Sequence, residues 1–454
     1  MGGLNVSLLT GTQALEAAQA ALQASSNNIA NANTPGYTRE VAQLTENPEN
    51  LVGGTVTGGG VNVESIQSVR DKLLNLQIQQ QTSLQSSADA QSSSLQALQP
   101  LFSSTGADLA STLSAFSSSL GQLSATPSNS AVQQSVVAAG ENLANSFNSV
   151  ATGLQSAQSA ADQQVTQTVA QINSLAGQIA QLNSQLTPSV MSQQNGGTIQ
   201  DQRDQLVHQL STLTGISIAQ SSDGEVITTA NGSPLVMGSQ SFSLQTTTGA
   251  DGYQQVLDTN GNNITASIQG GQLGGAIQMR DQVIPGFLSS LNDLASQFAA
   301  SVNSAQASGY DSTGSAGQPF FSFASGAGAA AGIKVALTSG SQIAASSDGS
   351  SGSNGNVAKL LNAVNGNMSS GQTPAAAYSN IVYQVGSAAS NASAQSSAIG
   401  SSITQLTNQQ SSVSGVNLDE ETTNLVRYQT AYEAAARVVS TIETLNSATI
   451  NMVS

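Results

Sequence analysis

Apolar residues recur every seven positions at both ends of the chain. Near the start, Leu8, Leu15, Leu22 and Ile29 form one stripe, with Leu4, Gly11, Ala18 and Ser25 beside it. Alternating steps of three and four describe a coiled-coil seam with small residues along one edge. The stretch "SSNNIANANTPGYTRE", residues 25 to 40, predicts where that helix ends. Its asparagines compete for nearby backbone groups, Pro35 disfavours helix at Thr34, and Pro-Gly suits the centre of a type II turn. The Gly-rich "LVGGTVTGGGVNVESI" that follows predicts one or two short strands. At the other end, Leu418, Leu425, Tyr432 and Val439 make one stripe, and Tyr428, Ala435 and Ile442 the next. Asn417 is placed to cap this helix, with Glu420 three residues on as reciprocal partner.

Between the two ends the period is mostly helical. One helix is predicted from about Ile66 to Gln99, where Pro100 interrupts it, and a second carries Leu109, Leu113, Phe116, Leu120 and Leu123. A long third region holds Val165, Ile172, Ile179 and Leu186 seven apart, closed by Pro188. "DQRDQLVHQLSTLTG" predicts a shorter helix to Gly215. Residues 216–270 change character: two Asn-Gly pairs sit between β-prone runs, a local hairpin signal. Helix returns from Leu273 to Ala305, where Pro285 must kink or split it. Tyr378, Val385, Ala392, Ile399, Leu406 and Val413 mark the last long helix of the body.

The expected fold is mainly α, elongated and multi-domain: a long helical bundle or coiled coil with an inserted small β-rich domain, its terminal helices paired in an assembly. The expected segments are 1–60 and 414–454 as coiled-coil assembly core, and 61–215, 271–305 and 356–413 as helical rod. Residues 216–270 are the β insertion and 306–355 a Gly/Ser-rich loop region.

Composition narrows the function. Only 7% of the 454 residues are charged, against about a quarter in ordinary soluble domains. Net charge is −16 with no basic run, which argues against a sequence-independent grip on nucleic acid. The absence of cysteine removes disulfides and thiolate metal sites. No stretch approaches the roughly 20 apolar residues of a membrane span, and the first residues have neither a basic leader nor an unbroken apolar run. Neither membrane insertion nor a cleaved secretory signal is expected; composition alone therefore says cytosolic and soluble.

Candidate chemistry is thin. His208 is the sole histidine, and with no cysteine it leaves almost no route to a zinc site or a triad. "YDSTGSAG" lacks the alternating acids and terminal Glu of a calcium loop. Gly58, Gly59 and Gly60 precede a strand and so form no phosphate cradle. No catalytic residue, cofactor or metal is expected. The heptads of 66–210 and 378–413 read as an intramolecular bundle. A pair of terminal helices would still leave apolar and amide faces uncovered, which is what a polymerising interface needs.

"SSNNIANANTPGYTRE" resembles the N-terminal signature of bacterial flagellar rod, hook and hook-associated axial proteins. "SGVNLDEETTNLVRYQTAYEAAARVVSTIETLN" is similar to their C-terminal helix. "DQRDQLVHQL", "GGQLGGAIQMRDQVIPGFLSSLNDLASQFAASVN" with "SGYDSTGSAGQPFF", and "ITQLTNQQSSVSGVNLDEE" narrow the resemblance to the hook-associated members that join hook to filament. The resemblance implies a non-enzymatic structural role outside the cell, after unfolded passage through the flagellar export apparatus. It implies terminal helices that line the innermost core of the tube and are disordered in the free monomer. Leu8, Leu15, Leu22 and Ile29 would pair there with Leu418, Leu425, Tyr428, Tyr432, Val439 and Ile442. Asn27, Asn28, Asn31, Asn33 and Tyr37 would contact neighbouring subunits. Implied partners are further copies, the hook protein, the second junction protein and a cytosolic export chaperone on the C-terminal helix. The competing readings are a hook or rod subunit, a secreted enzyme, or a ligand-binding module on the same scaffold.

Overall fold

The computed structural model describes residues 2–48, 50–52, 55–102, 108–186, 196–221 and 224–453. Two helices from opposite ends of the chain lie along each other: α1 (Gly2–Asn31) and α11 (Leu418–Val453). Below α1 the chain runs through β1 (Glu40–Glu46), a small hairpin β2 (Asn50–Val52) and β3 (Thr55–Thr57), and β4 (Val61–Ser68). Strand β4 pairs antiparallel with β1 from Val61↔Glu46 to Ser68↔Glu40. Helix therefore resumes only at Lys72, not near Ile66, because Ile66 sits in that ladder. The strand belongs with the terminal elements rather than with the rod.

The body is built on long helices. α2 (Lys72–Phe102) packs along α10 (Pro374–Ser414), and α3 (Leu109–Ala125) packs on α4 (Ser130–Gln185). Pro100 does not interrupt α2: it sits in the final turn, where few residues remain to be disturbed. Caps fall where the sequence allows. Asp108 accepts from the Ser111 amide at the start of α3, and Asn129 from Ala131 and Val132 at the start of α4. At 56 residues and about 1.5 Å per residue, α4 is roughly 84 Å long. Pro188 lies outside the described residues.

α4 crosses two apolar cores. The first gathers the end of α2, α3, the first half of α4, and the later helices α7 (Ile284–Ala307), α9 (Val357–Asn365) and α10 around five phenylalanines: Phe116, Phe147, Phe298, Phe320 and Phe321. Their ring centroids stand between 4.8 and 6.4 Å apart, edge-on or tilted. The second core joins Val165, Ile172 and Ile179 of α4 to Val207 and Leu210 of α5 (Gly196–Leu213) and to the β insertion. Three of the four predicted heptad positions thus point inward together; the fourth, Leu186, caps the helix end.

The insertion is a four-stranded antiparallel sheet in sequence order: β5 (Ile216–Ser221), β6 (Gly224–Thr229), β7 (Pro234–Met237) and β8 (Gln240–Ser241). Asn231-Gly232 turns β6 into β7, with Gly232 at φ +90°. The second Asn-Gly pair closes only a bridge between Leu257 and Asn263. The other hairpin pairs β9 (Gln245–Thr248) with β10 (Gln254–Leu257) around Gly252, at φ +85°. The sequence reading missed that turn although Asp251-Gly252 is itself a hairpin signal, because the flanking strands, Gln-Thr-Thr-Thr and Gln-Gln-Val-Leu, are mostly polar and show no apolar alternation.

Pro285 acts upstream of itself. A helix over Gly271–Gln278, α6, widens into a π turn at Met279–Val283 before α7 begins, with Pro285 in its first turn. The wider turn absorbs the missing amide and the ring's clash with the preceding carbonyl. It also buries Arg280, which reaches Asp162 at 2.8 Å and the Gln254 carbonyl at 2.6 Å. Residues 306–355 are poor in regular structure, but they are no open loop. They contain β11 (Phe321–Phe323), paired with β12 (Ile333–Val335), the short helix α8 (Ala329–Gly332), and fully buried Phe320, Phe321 and Ile333.

Candidate assembly interface

The terminal pair is joined by its small residues. In α1 the buried positions are Gly11, Ala17, Ala18, Ala21, Ala24, Ser25 and Asn28, whereas Leu8, Leu15, Leu22 and Ile29 are only half-buried. Small side chains let the helix axes approach. A Cβ on Gly11 would stand 3.0 Å from a methyl of Val439. On α11, Ile442 is buried and Leu425, Tyr428, Tyr432 and Val439 are half-buried, while Leu418 is exposed. The leucine stripe and the small-residue stripe thus exchange the roles expected of them: the small one makes the seam and the large one flanks it.

Much apolar surface remains outside. Val438, Leu445 and Met452 are 50%, 51% and 79% exposed, and they too are seven apart. Sequence reading missed this second stripe because it followed the one that faces α1. Leu9 and Val426 are likewise exposed. Between the helices lies an apolar groove of about 520 Å3, lined by Val6, Thr10, Gly11, Ala14, Ala435, Val438 and Ile442 among others.

The amides close the turn below α1. Asn28, 1% exposed, donates to the Glu40 carbonyl at 2.9 Å and accepts from the Glu40 amide at 2.8 Å. Its carbonyl also accepts from the Tyr37 hydroxyl at 2.9 Å. One side chain therefore plays the part of a neighbouring strand for the first residue of β1. Asn27 donates to the Glu40 carboxylate, and Asn31 donates to the Asn27 carbonyl while accepting from Thr34. Asn33 is exposed. For Asn28 the expectation that its hydrogen bonds await a neighbouring subunit does not hold, since they are made within the chain. Burial, reinforced by Glu40, Asp201 and Glu421, pushes the Tyr37 hydroxyl pKa well up, so it stays protonated.

The base of the pair rests on charge. Arg39 meets Glu420 at 2.9 Å, so Glu420 serves an ion pair rather than the reciprocal cap, and Asn417 alone accepts from the Asp419 amide. Arg70, just past β4, holds Asp201 at 2.6 Å and also Asp204, both on α5. Asp201 accepts from the Thr38 amide at 3.2 Å. Burial raises the pKa of Asp201 and Glu40, and Arg70 opposes it in both. The sequence signal was available: in a chain this poor in charge, three of nine basic residues, Arg39, Arg70 and Arg203, fall here, with Arg70 facing the acids of "DQRDQ" and Arg203 within that stretch.

His208 is exposed on α5 and borders this same cluster. Elsewhere the chemistry is spent locally. The Asp311 carboxylate accepts from Thr313 and Ser315 of its own loop. Among the described residues no three His, Cys, Asp or Glu side chains are grouped to hold a metal, and no helix is long and apolar enough to cross a membrane.

Comparison with known proteins gives this geometry its family. Residues 95–321 match the model of the flagellar hook-associated protein FlgK helical domain. Flagellar hook-associated protein 1 of Bacillus subtilis (strain 168) is 30% identical over 98% of this chain and 97% of its own length. The chain belongs to the flagellar hook-associated protein 1 family. The Escherichia coli (strain K12) protein of that name is 27% identical over 96% of this chain and 98% of its own. The flagellar hook junction protein FlgK from Burkholderia pseudomallei shares the fold, with a TM-score of 0.67 at 18% identity, over 74% of this chain and all of that one.

Two further matches fall on the terminal pair of this family member. Residues 8–38 match the flagella basal body rod protein model, and residues 408–452 the C-terminal model of the flagellar basal body rod FlgEFG proteins. The helices that find each other across the whole sequence are therefore the part of a hook-associated protein 1 chain shared with rod proteins.

Proposed function

We propose that this chain is a structural subunit of the hook–filament junction, polymerising through α1 and α11. The observation that carries the reading is the terminal pair itself, whose seam consumes glycine and alanine and leaves Val438, Leu445 and Met452 outside. Full burial of such a side chain yields roughly 1.5–3 kcal/mol, so a few of them covered by neighbours offset much of the cost of assembly. Leu8, Leu15, Leu22, Ile29, Leu425, Tyr428, Tyr432, Val439 and Ile442 line and flank the seam that the small residues make, while Leu418, Asn33 and the second stripe face the next copy. The resemblance supports the rest of the reading. Further copies, the hook protein and the second junction protein are the neighbours, and an export chaperone takes the apolar face of α11 before assembly. The chain travels through the flagellar export apparatus and does no chemistry.

The test is Leu445→Asp, at an exposed position whose change leaves the single molecule intact. Cells carrying it are expected to lose swimming motility and shed filament subunits into the medium, with thermal melting of the purified protein unchanged. Normal swimming by both Leu445→Asp and Leu22→Asp cells would contradict the assignment.

A further inference from the structure

We infer that α5 is an ionic clasp that sets the angle between the terminal helix pair and the body. The chain crosses from one to the other twice, at Val69–Asp71 and at Gly415–Asn417. Two parallel crossings make a hinge, and a hinge alone does not fix an angle. Neither apolar core helps: the first begins at Leu95 and ends at Ala392, and the second lies between Val165 and Ile277. What spans the joint is polar. Arg70, beside one crossing, grips Asp201 and Asp204 on α5, and its own side chain and that of Asp201 are each 13% exposed. The Thr38 amide donates to Asp201 from the turn under α1. At the other crossing the Arg39 amide donates to the Ser414 carbonyl at 3.0 Å, while its guanidinium pairs with Glu420 on the terminal side of the joint.

The joint is not filled tightly. A polar cavity of about 340 Å3 lies among Arg70, Asp201, Asp204 and the facing ends of α2 and α10. Inside it the Nε of Arg70 has no partner among the described residues. A joint held by charge beside a cavity lined mainly by polar side chains can open while exposing little apolar surface. Opening it costs the partly buried pairs and little else, and a partly buried pair outweighs an exposed one. The clasp stands independently of whether neighbouring subunits pack on the terminal pair.

A chain without cysteine makes the test clean. Gln19→Cys on α1 and Ser159→Cys on α4 provide two spin labels on exposed positions. Double electron–electron resonance on the full chain at low salt is expected to give one narrow distance. In Arg70→Gln or Asp201→Asn the distribution should broaden at least about twofold, with the melting temperature of the body unchanged. Asp204→Asn, which removes the other carboxylate that Arg70 holds, should broaden it in the same direction. A parent distribution that is already broad at low salt overturns the clasp. So does a narrow one that survives both substitutions. If neither variant folds, Asp204→Asn decides.

Discussion

A single amide closes the turn at the foot of α1. Asn28 satisfies both backbone groups of Glu40, so an Asn28→Ala chain leaves a buried N–H and a buried C=O without partners. Each such group costs about 1–3 kcal/mol. Hydrogen exchange at the Glu40 amide should accelerate strongly in that variant while amides of the phenylalanine core keep their protection. Unchanged protection at Glu40 would mean the turn is held by something else. The sequence showed that this cluster matters but not to whom. Four asparagines before Pro-Gly mark a helix end, yet only the strand that begins nine residues after Asn31 reveals their acceptor. Arg280 was less legible still. Nothing in "GGAIQMRDQVIPG" says that its arginine is buried, because the burying groups, Asp162 and the Gln254 carbonyl, arrive from distant elements.

Elements whose character is set by their own period were legible, and those built by partners were not. Val165, Ile172 and Ile179 gave α4 its inward stripe, and Leu109 to Leu123 gave α3 its own. The Gly/Ser-rich segment read as a loop because its two adjacent phenylalanines have no periodic company. Phe321→Ala should nevertheless cost about 3–5 kcal/mol, the price of a large ring removed from a packed core. Thermal or urea unfolding measures it, and a loss under about 1 kcal/mol would return the segment to the surface. The pairing of α10 with α2 carries a pH signature. Tyr378 donates to the Phe102 carbonyl at 3.0 Å, and burial, with Asp108 nearby, pushes its hydroxyl up to about 12. An unfolded tyrosine ionises at its ordinary value of 10.0. The folded chain therefore holds this proton more tightly, and the stability it contributes is complete below pH 10 and lost as pH rises through 12. Melting temperatures across that window should fall less steeply in Tyr378→Phe, which has no proton to lose.

At the scale of the whole molecule, sparse charge is placed rather than scattered. Four of the nine basic residues stand where one unit meets another: Arg39 and Arg70 under the terminal pair, Arg203 against Glu225 of the sheet, Arg280 at the root of the β insertion. The helical body with its β insertion was legible from hydrophobic period and turn chemistry. The arrangement of the units was not, since ion pairs across more than a hundred residues leave no local pattern.

α4 gives these units a common fate. Its one apolar stripe is inserted first into the phenylalanine core and then into the core shared with the sheet, with no loop between. Torsion entering at one end has no soft segment in which to dissipate. A subunit so built behaves under load as a stiff spar: it passes twist from the structure below it to the structure above, and yields only where its ends are hinged.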